Sequence, residues 1–387
     1  MRFVLPLAAL VTVPFLAACT STTTDPDSPA GAGGPITVTS ADDSCDVSAA
    51  TAPAGNLTFA VTNNGSKVTE FYLYSADGER IVGEVENIGP GLQGKLIVTA
   101  TEGAYQTSCR PGMAGKGIRA DFEVTEPTGG SKAPSEDAVL ISRAQNDYRV
   151  WVQKQADQLV TQTQRFVTAY QDGKDDEARA RYPRARFYWE AIETVAESFG
   201  DLDPKTDARE ADLTPGQKWT GWHRIEKDLW PQRAKHYTRL STEQRAFYGD
   251  DLLANVTTVR DRIRSLTFTT DQIANGSSGL MEEVATGKVT GEEEFWSHTD
   301  LWDFAANVKG ARVAFEDVKP ILEKRDPALA RTLTQRFAEI ERLLAREQVG
   351  QGYRLYTDLS KAEIKRLADA VNALSEPLSH LTAAVLP

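Results

Sequence analysis

The sequence predicts a multidomain protein in which a small all-β Greek-key sandwich is followed by an all-α helical bundle. Three observations support this prediction. The chain has 387 residues, more than one hydrophobic core usually organises. Residues 36–126 alternate apolar and polar side chains, whereas residues 137–387 repeat apolar side chains at helical spacing. A Pro/Gly/Ser-rich linker, residues 127–136, separates the two patterns.

The N-terminus is expected to be a targeting segment rather than part of the fold. In residues 1–18, Arg2 precedes an apolar run, and small residues precede Cys19, as in a bacterial lipoprotein signal peptide. We expect Cys19 to be lipidated; a plain secretory signal with an incidental cysteine is the alternative. Residues 19–35 are rich in Ser, Thr, Pro and Gly, which predicts a flexible tether. The protein is therefore predicted to be exported and membrane-anchored, in a periplasm or on the outer face of the cell membrane.

The β domain is predicted from short alternating segments rich in Val, Thr, Phe and Tyr. Asn-Gly, Asp-Gly and Gly-Pro-Gly signals mark turns between them. The clearest strand segments are ITVTS, NLTFAVTNNG, EFYLYSADG, KLIVTATEG and ADFEVTE. Several short strands in so few residues are typical of a Greek-key sandwich.

The helical domain begins with a long amphipathic segment, residues 141–173, which stops at an Asp-Gly pair. Capping residues such as Ser241 and Ser360 mark later helix starts. The further predicted helical segments are residues 176–200, 221–231, 241–266, 269–287, 293–325, 326–349 and 360–385. These segments predict a bundle of about 250 residues.

The charge of the chain restricts its partners. The formal net charge is −12, which argues against a nucleic-acid partner because nothing would neutralise phosphates. An acidic surface instead attracts cations.

The segment TGWHRIEKDLW is the first candidate metal site. His223 and Glu226 lie three residues apart, so they share one face of a helix. Metal sites in helical bundles use histidine and carboxylates projecting inward from several helices. The inverse zinc-peptidase motif H-x-x-E-H is broken here, because Lys227 stands in place of its second histidine. The alternative to a metal site is an ordinary exposed helix.

Two other segments offer further ligands. Glu190, Glu193 and Glu197 lie on nearly one helical face, where they would repel one another without a cation. The segment EEEFWSHTDLWDF embeds polar ligands among aromatic residues, as a partly buried metal site requires: His298, Asp300 and Asp303. The alternative is that the two aspartates cap a helix or lie on the surface.

Three long motifs carry a family resemblance: YPRARFYWEAIETVAESFGD, TGWHRIEKDLW and VTGEEEFWSHTDLWDFAANVKGA. They resemble the imelysin-like peptidase family, and residues 36–387 are similar to the EfeO-type family of exported iron-uptake components, which have an N-terminal cupredoxin-like domain. The resemblance implies an H-x-x-E metal site at His223 and Glu226, with the other two segments as neighbours. It implies ferric or ferrous iron as the metal, with zinc as a substitute. It also implies two partners, a membrane iron permease and a haem-peroxidase-like protein.

The β domain offers either a disulfide or a metal site. Outside the cytoplasm, Cys45 and Cys109 form a disulfide unless a metal holds them as thiolates. A blue-copper centre is excluded, because it needs two histidines and none precedes His223. The family resemblance points to a cysteine–carboxylate site for copper or iron, and the candidate ligands besides the cysteines are Asp46, Glu70, Glu84, Glu86 and Met113. Both alternatives remain open at this stage.

Three functions follow from these observations. The expected one is a lipid-anchored metal-binding protein that captures iron and passes it to a permease, with no catalytic residues. The second is a zinc-dependent peptidase of the imelysin-like family, which the broken motif disfavours. The third is a structural or adhesive lipoprotein whose acidic rows serve only solubility.

Overall fold

The computed structural model describes residues 34–126, 136–213 and 216–386, with only the backbone described for Glu136 and Glu197. The predicted signal peptide, Cys19, and most of the predicted tether and linker lie outside the described residues. Within the described part of the chain, no helix is both long enough and apolar enough to cross a membrane.

The N-terminal domain is a sandwich of two sheets, which confirms the predicted all-β domain. The strands are β1 (Ile36–Ser40), β2 (Cys45–Val47), β3 (Thr51–Pro53), β4 (Gly55–Asn63), β5 (Thr69–Ser75), β6 (Ile81–Ile88), β7 (Gln93–Ala100), β8 (Gly103–Cys109) and β9 (Ile118–Thr125). One sheet has the order β2-β1-β4-β7 and the other β3-β9-β8-β5-β6. Alternate residues of β4 and β7 are buried, because each strand turns one face to the core.

The sandwich core is aromatic and aliphatic, and a disulfide crosses it. Phe59 packs against Phe71 and Phe122 with ring centroids 5.1 and 5.6 Å apart. Cys45 on β2 is bonded to Cys109 on β8, so the disulfide joins the two sheets.

The C-terminal domain is helical, as predicted. Its helices are α1 (Glu136–Gln171), α2 (Asp175–Glu190), α3 (Glu193–Glu197), α4 (Asp203–Thr206), α5 (Trp222–Leu229), α6 (Thr242–Ile263), α7 (Thr270–Thr286), α8 (Asp300–Arg325), α9 (Pro327–Arg346), α10 (Lys361–Leu378) and α11 (Leu381–Val385). A two-stranded ribbon, β10 (Gln348–Val349) and β11 (Gly352–Tyr353), follows α9. Helix α1 packs along α2 and α6, and α7 packs along α8, around one continuous apolar core.

Two of the differences from the predicted helices lie at the candidate site. The segment 176–200 breaks at Ile192, whose φ of −125° and ψ of 19° separate α2 from α3. Residues 293–299 were predicted as helix, but α8 begins only at Asp300. His298 has a φ of 61°, outside the helical region, so the chain turns there before entering α8. We call residues 287–299, between α7 and α8, the connector.

The two domains are joined by hydrogen bonds between helix side chains and strand edges. On α7, Asp271 accepts from the Thr99 amide at 2.8 Å, and Asn275 donates to the Ile97 carbonyl at 2.9 Å. The Ile81 amide of β6 donates to the Ser198 carbonyl at 3.0 Å. Edge strands β6 and β7 are therefore partly covered by the helical domain, which limits edge-to-edge association.

Candidate metal centre

Buried carboxylates from four parts of the helical domain converge around His223. Helices α2 and α3 supply two, the α4–α5 loop and α5 supply two, the connector supplies two and α8 supplies one. We define the carboxylate cluster as Glu190, Glu193, Asp207, Glu226, Glu293, Glu294 and Asp303. Six of these residues are at most 8% exposed, and the side chain of Asp207 is 8% exposed.

Helix α5 turns the face that carries His223 and Glu226 inward. His223 is 1% exposed and Glu226 is fully buried, so the exposed-helix interpretation is wrong. The helix begins after Gly221, which has a φ of 88°. A Cβ at Gly221 would lie 2.1 Å from the Thr206 carbonyl oxygen, so only glycine allows α5 to approach the end of α4 this closely. This approach brings His223 next to Asp207.

Both ring nitrogens of His223 face carboxylates. Nδ1 lies 3.2 Å from Glu226 Oε2, and Nε2 lies 3.3 Å from Asp207 Oδ1 and 3.4 Å from Glu293 Oε1. Burial disfavours the charged ring, but the three carboxylates beside the ring raise the His223 pKa well above its ordinary value. Burial likewise opposes ionisation of Glu293, yet the His223 contact lowers the pKa of Glu293 to about 2. The imidazolium is thus a counter-ion for the carboxylates beside it.

Glu226 also fixes the connector. Its Oε1 accepts hydrogen bonds from the amides of Trp296 and Ser297, at 2.9 and 2.5 Å. The Ser297 hydroxyl donates to Glu294 Oε2 at 2.7 Å. Because these amides bind a carboxylate instead of carbonyls one turn away, the segment forms a loop rather than the predicted helix.

Arg186 lies at the centre of the cluster and is fully buried. Its Nε is 2.6 Å from Glu294 Oε1 and 3.6 Å from Asp303 Oδ1. Its terminal nitrogens bind Glu190 and Asp207. Burial opposes ionisation of Asp207, but Arg186 and His223 together lower the Asp207 pKa. The guanidinium therefore neutralises part of the cluster from inside.

Negative charge nevertheless exceeds positive charge in the cluster. The seven carboxylates are matched by four cationic side chains in contact with them: Arg186, Arg209, Lys288 and His223. Burial, followed by neighbouring carboxylates, raises the pKa values of Glu193, Glu294 and Asp303 well above the ordinary range. Both carboxylate oxygens of Asp303 lack a hydrogen-bond partner. Such a cluster must bind protons or an additional cation, because uncompensated buried charge is costly.

Three overlapping groups within the cluster could hold a metal ion, each with ligand atoms within 4.8 Å of one another. The groups are Asp207 with His223 and Glu293; His223 with Glu226 and Glu294; and Glu190 with Glu193 and Asp207. Carboxylate oxygens with one imidazole form a donor set that suits iron and also zinc.

The structure assembles some of the predicted helical-domain ligands and leaves others aside. Glu190, Glu193 and Asp303 belong to the cluster, whereas the side chain of Glu197 lies outside the described part. Asp300 is buried, and its Oδ1 accepts from the Glu294 amide at 3.0 Å. It thereby holds the connector, and burial raises its pKa to about 6. Among the described residues, His298 belongs to none of the three groups, because the turn at its positive φ leaves it partly exposed.

Several residues of the cluster were not predicted. Glu293 and Glu294 stand within the quoted EEEFW run, and Arg186 within YPRARFYWE, so the sequence contained a signal for them. The sequence gives no comparable signal for Asp207 or Lys288, because both reach the cluster from loops whose course depends on tertiary packing.

Of the two alternatives for the cysteines of the β domain, the structure shows the disulfide and not the cysteine–carboxylate site. Cys45 and Cys109 form a disulfide, and Cys109 lies in the sandwich core, paired across the sheet with Phe71. Successive strand residues point to opposite faces, so Glu70 lies on the other face of the sheet from Cys109. The remaining predicted ligands are also separated from the cysteines within the described structure: Glu84 is paired with Tyr72, Glu86 contacts the Tyr72 hydroxyl at 3.5 Å, and Asp46 and Met113 are exposed.

The architecture is a β sandwich followed by a helical domain with a buried histidine–carboxylate cluster. One family profile matches each of these two domains. The Imelysin (peptidase M75) family profile matches residues 144–381, and the profile of the cupredoxin-like domain matches residues 7–119. The iron uptake system component EfeO of Escherichia coli O157:H7 is 34% identical over 351 residues, which cover 89% of this chain and 90% of that protein. EfeO of Yersinia pestis is 34% identical over 349 residues, with the same coverage. The chain belongs to the imelysin family and, within it, to the EfeO-type proteins.

Proposed function

We propose that this protein is the metal-binding component of an iron uptake system, which captures ferric or ferrous iron at the carboxylate cluster and passes it to a membrane permease. The observation that carries the proposal is the convergence of buried carboxylates around His223, several of which have pKa values raised well above the ordinary range by burial and by one another. The relatives are described as iron uptake components, and for this reason we propose iron as the metal.

The donor set suits carriage of a metal better than hydrolysis. A catalytic zinc site typically uses three protein ligands and keeps one position open for water. Here the ring nitrogens of His223 face three carboxylates of the cluster, and His223 is the one histidine in the three candidate metal-binding groups. Lys227, which replaces the second histidine of the peptidase motif, instead binds Glu210. The peptidase label of the family is a name and supplies no evidence of activity.

The proposed location and partners extend the same function. We infer export, with a lipid anchor at Cys19 holding the protein beside a membrane permease and a haem-peroxidase-like partner. A role for copper in the β domain has no support from the geometry there, because the two cysteines are bonded to each other.

Calorimetric titration with Fe(II) under anaerobic conditions, and with a weak Fe(III) chelate, tests the proposal. The double variant His223→Ala, Glu226→Ala should bind iron at least about 100-fold more weakly than wild type, since loss of outer-sphere partners alone costs 10–100-fold. Glu339→Ala is a matched control, because the Glu339 side chain on α9 is 45% exposed and pairs with Arg342. Equal affinity in the double variant and the wild type would reject iron binding at this cluster.

A proteolysis assay tests the peptidase alternative. Zinc-loaded wild-type protein should leave an unfolded substrate such as reduced casein intact. Cleavage that disappears in Glu226→Ala would instead favour the peptidase function.

A further inference from the structure

Lys288 is a lysine buried inside the carboxylate cluster. It is 1% exposed, and its Nζ lies 2.6 Å from Glu190 Oε2 and also contacts Glu193 Oε2. Asn307 donates to Glu193 Oε2 at 2.9 Å, so the lysine and the amide together hold this carboxylate. Lysine is almost never fully buried unless it is paired, so these carboxylates hold it in place.

The ammonium of Lys288 lies where a metal ion would contact the same carboxylates. Glu190 and Glu193, with Asp207, form one of the three groups whose oxygens lie within 4.8 Å of one another. A metal ion bound to this group would lie close to the ammonium, and two cations repel strongly in a low-dielectric interior. Occupation of the group by a metal therefore requires Lys288 to leave.

Besides the His223 imidazolium, two fully buried cations contact the cluster, Arg186 and Lys288, and Lys288 has the fewer ion pairs to break. Arg186 lies within 4 Å of five carboxylates in the described structure, whereas Lys288 forms ion pairs with two. Lys288 also begins a short turn between Gly287 and Gly291, at the start of the connector. Glu283, half-buried on the last turn of α7, attracts Lys288 and offers it another partner nearer the solvent.

We propose that Lys288 is a resident counter-cation that sets the iron affinity of the cluster. It neutralises Glu190 and Glu193 in the metal-free protein and leaves them when iron binds, so these two carboxylates become ligands only in the loaded state. The inference rests on the proposed function and adds the residue that makes binding reversible. A carrier needs such a residue, because a cluster with all its carboxylates free would retain the metal.

Fe(II) titration of wild type, Lys288→Met and Lys365→Met tests the proposal. Met has a similar length without the charge, and the control removes one positive charge from an exposed ion pair on α10. We expect Lys288→Met to bind Fe(II) about tenfold more tightly, equivalent to ~1.4 kcal/mol, while Lys365→Met matches wild type. The metal-free Lys288→Met protein should melt at a lower temperature and show a larger increase in melting temperature with Fe(II). A merely structural lysine would lower both stability and affinity, so equal or weaker binding by Lys288→Met overturns the inference.

Failure of the inference is distinguishable from failure of the proposed function. Absence of Fe(II) binding by wild type rejects both, whereas binding by wild type with no gain in Lys288→Met rejects the inference alone. Should Lys288→Met not fold, amine acetylation of wild type followed by peptide mass spectrometry replaces it. Lys288 should be modified several-fold faster in Fe(II)-saturated than in metal-free protein, with Lys365 unchanged. Equal protection of Lys288 in both states overturns the inference.

Discussion

At the scale of single residues, the site depends on carboxylates that are kept close together against their mutual repulsion. Asp303 shows this most clearly, because it is 1% exposed and neither of its oxygens has a hydrogen-bond partner. Burial, followed by the Glu294 charge, raises its pKa well above the ordinary value. A buried carboxylate without a hydrogen-bond partner needs an explanation, and the proposed metal site supplies one.

Asp303→Asn should separate binding from stability. Burial favours the neutral form of Asp303, so the neutral amide should change the free energy of unfolding by less than about 1 kcal/mol. The affinity for Fe(II) should fall about tenfold, because a negative ligand or neighbour of the metal is lost. Urea denaturation and calorimetric titration check the two expectations. A large loss of stability with unchanged affinity would contradict the account.

At the scale of elements, the approach of α5 to α4 assembles the cluster, and Gly221 permits it. Gly221→Ala should destabilise the protein by about 2–3 kcal/mol, from the positive φ and from the clash with Thr206. Iron binding should weaken as well, since His223 would move away from Asp207. Gly173→Ala is the matched control: Gly173 has a φ of 71° and no atom within 4 Å of its added Cβ. It should lose stability through φ alone and keep wild-type iron affinity; equal iron affinity in both variants would contradict this role of Gly221.

The β6 strand and helix α7 bring further carboxylates together between the domains. Burial, then neighbouring carboxylates, raises the pKa of Glu84 to about 8 and that of Glu86 to about 9, and burial raises those of Glu282 and Glu283. Since the folded state binds these protons more tightly than the unfolded chain, their contribution to stability is full below about pH 4.5 and is lost as the pH rises towards 8–9.

The melting temperature of wild type should therefore fall between pH 6 and pH 9 more steeply than that of Glu84→Gln, Glu86→Gln. Calorimetry in matched ionic strength measures the two slopes. Parallel slopes would show that these two carboxylates do not titrate as the structure indicates.

At the scale of the whole molecule, the sequence predicts the architecture well and the site only in part. The period-2 and helical patterns predicted both domains because they depend on local burial. The sequence predicted two pairs of cluster residues, Glu190 with Glu193 and His223 with Glu226. The members of each pair are three residues apart, a spacing that places both side chains on one face of a helix. Asp207 and Lys288 were missed because tertiary contacts alone bring their loops to the cluster. The non-helical connector was missed because its amides bind Glu226, more than sixty residues away in the chain.

The disulfide makes the β domain a structural unit rather than a thiolate site. Unreduced protein should show no reactive thiol at Cys45 or Cys109, and Cys45→Ser, Cys109→Ser should lose about 2–5 kcal/mol of stability. Iron stoichiometry should stay the same, because the cluster lies in the helical domain. Loss of one bound metal per chain in the double variant would restore the thiolate-site hypothesis.

An iron-soaked crystal measured at the iron absorption edge would locate the metal among the carboxylates around His223. We expect an anomalous peak within bonding distance of His223 and of carboxylate oxygens from the cluster. We also expect the Lys288 ammonium to move away from Glu190 and Glu193. An anomalous peak beside Cys45 and Cys109, with none in the helical domain, would rule out iron binding at the cluster.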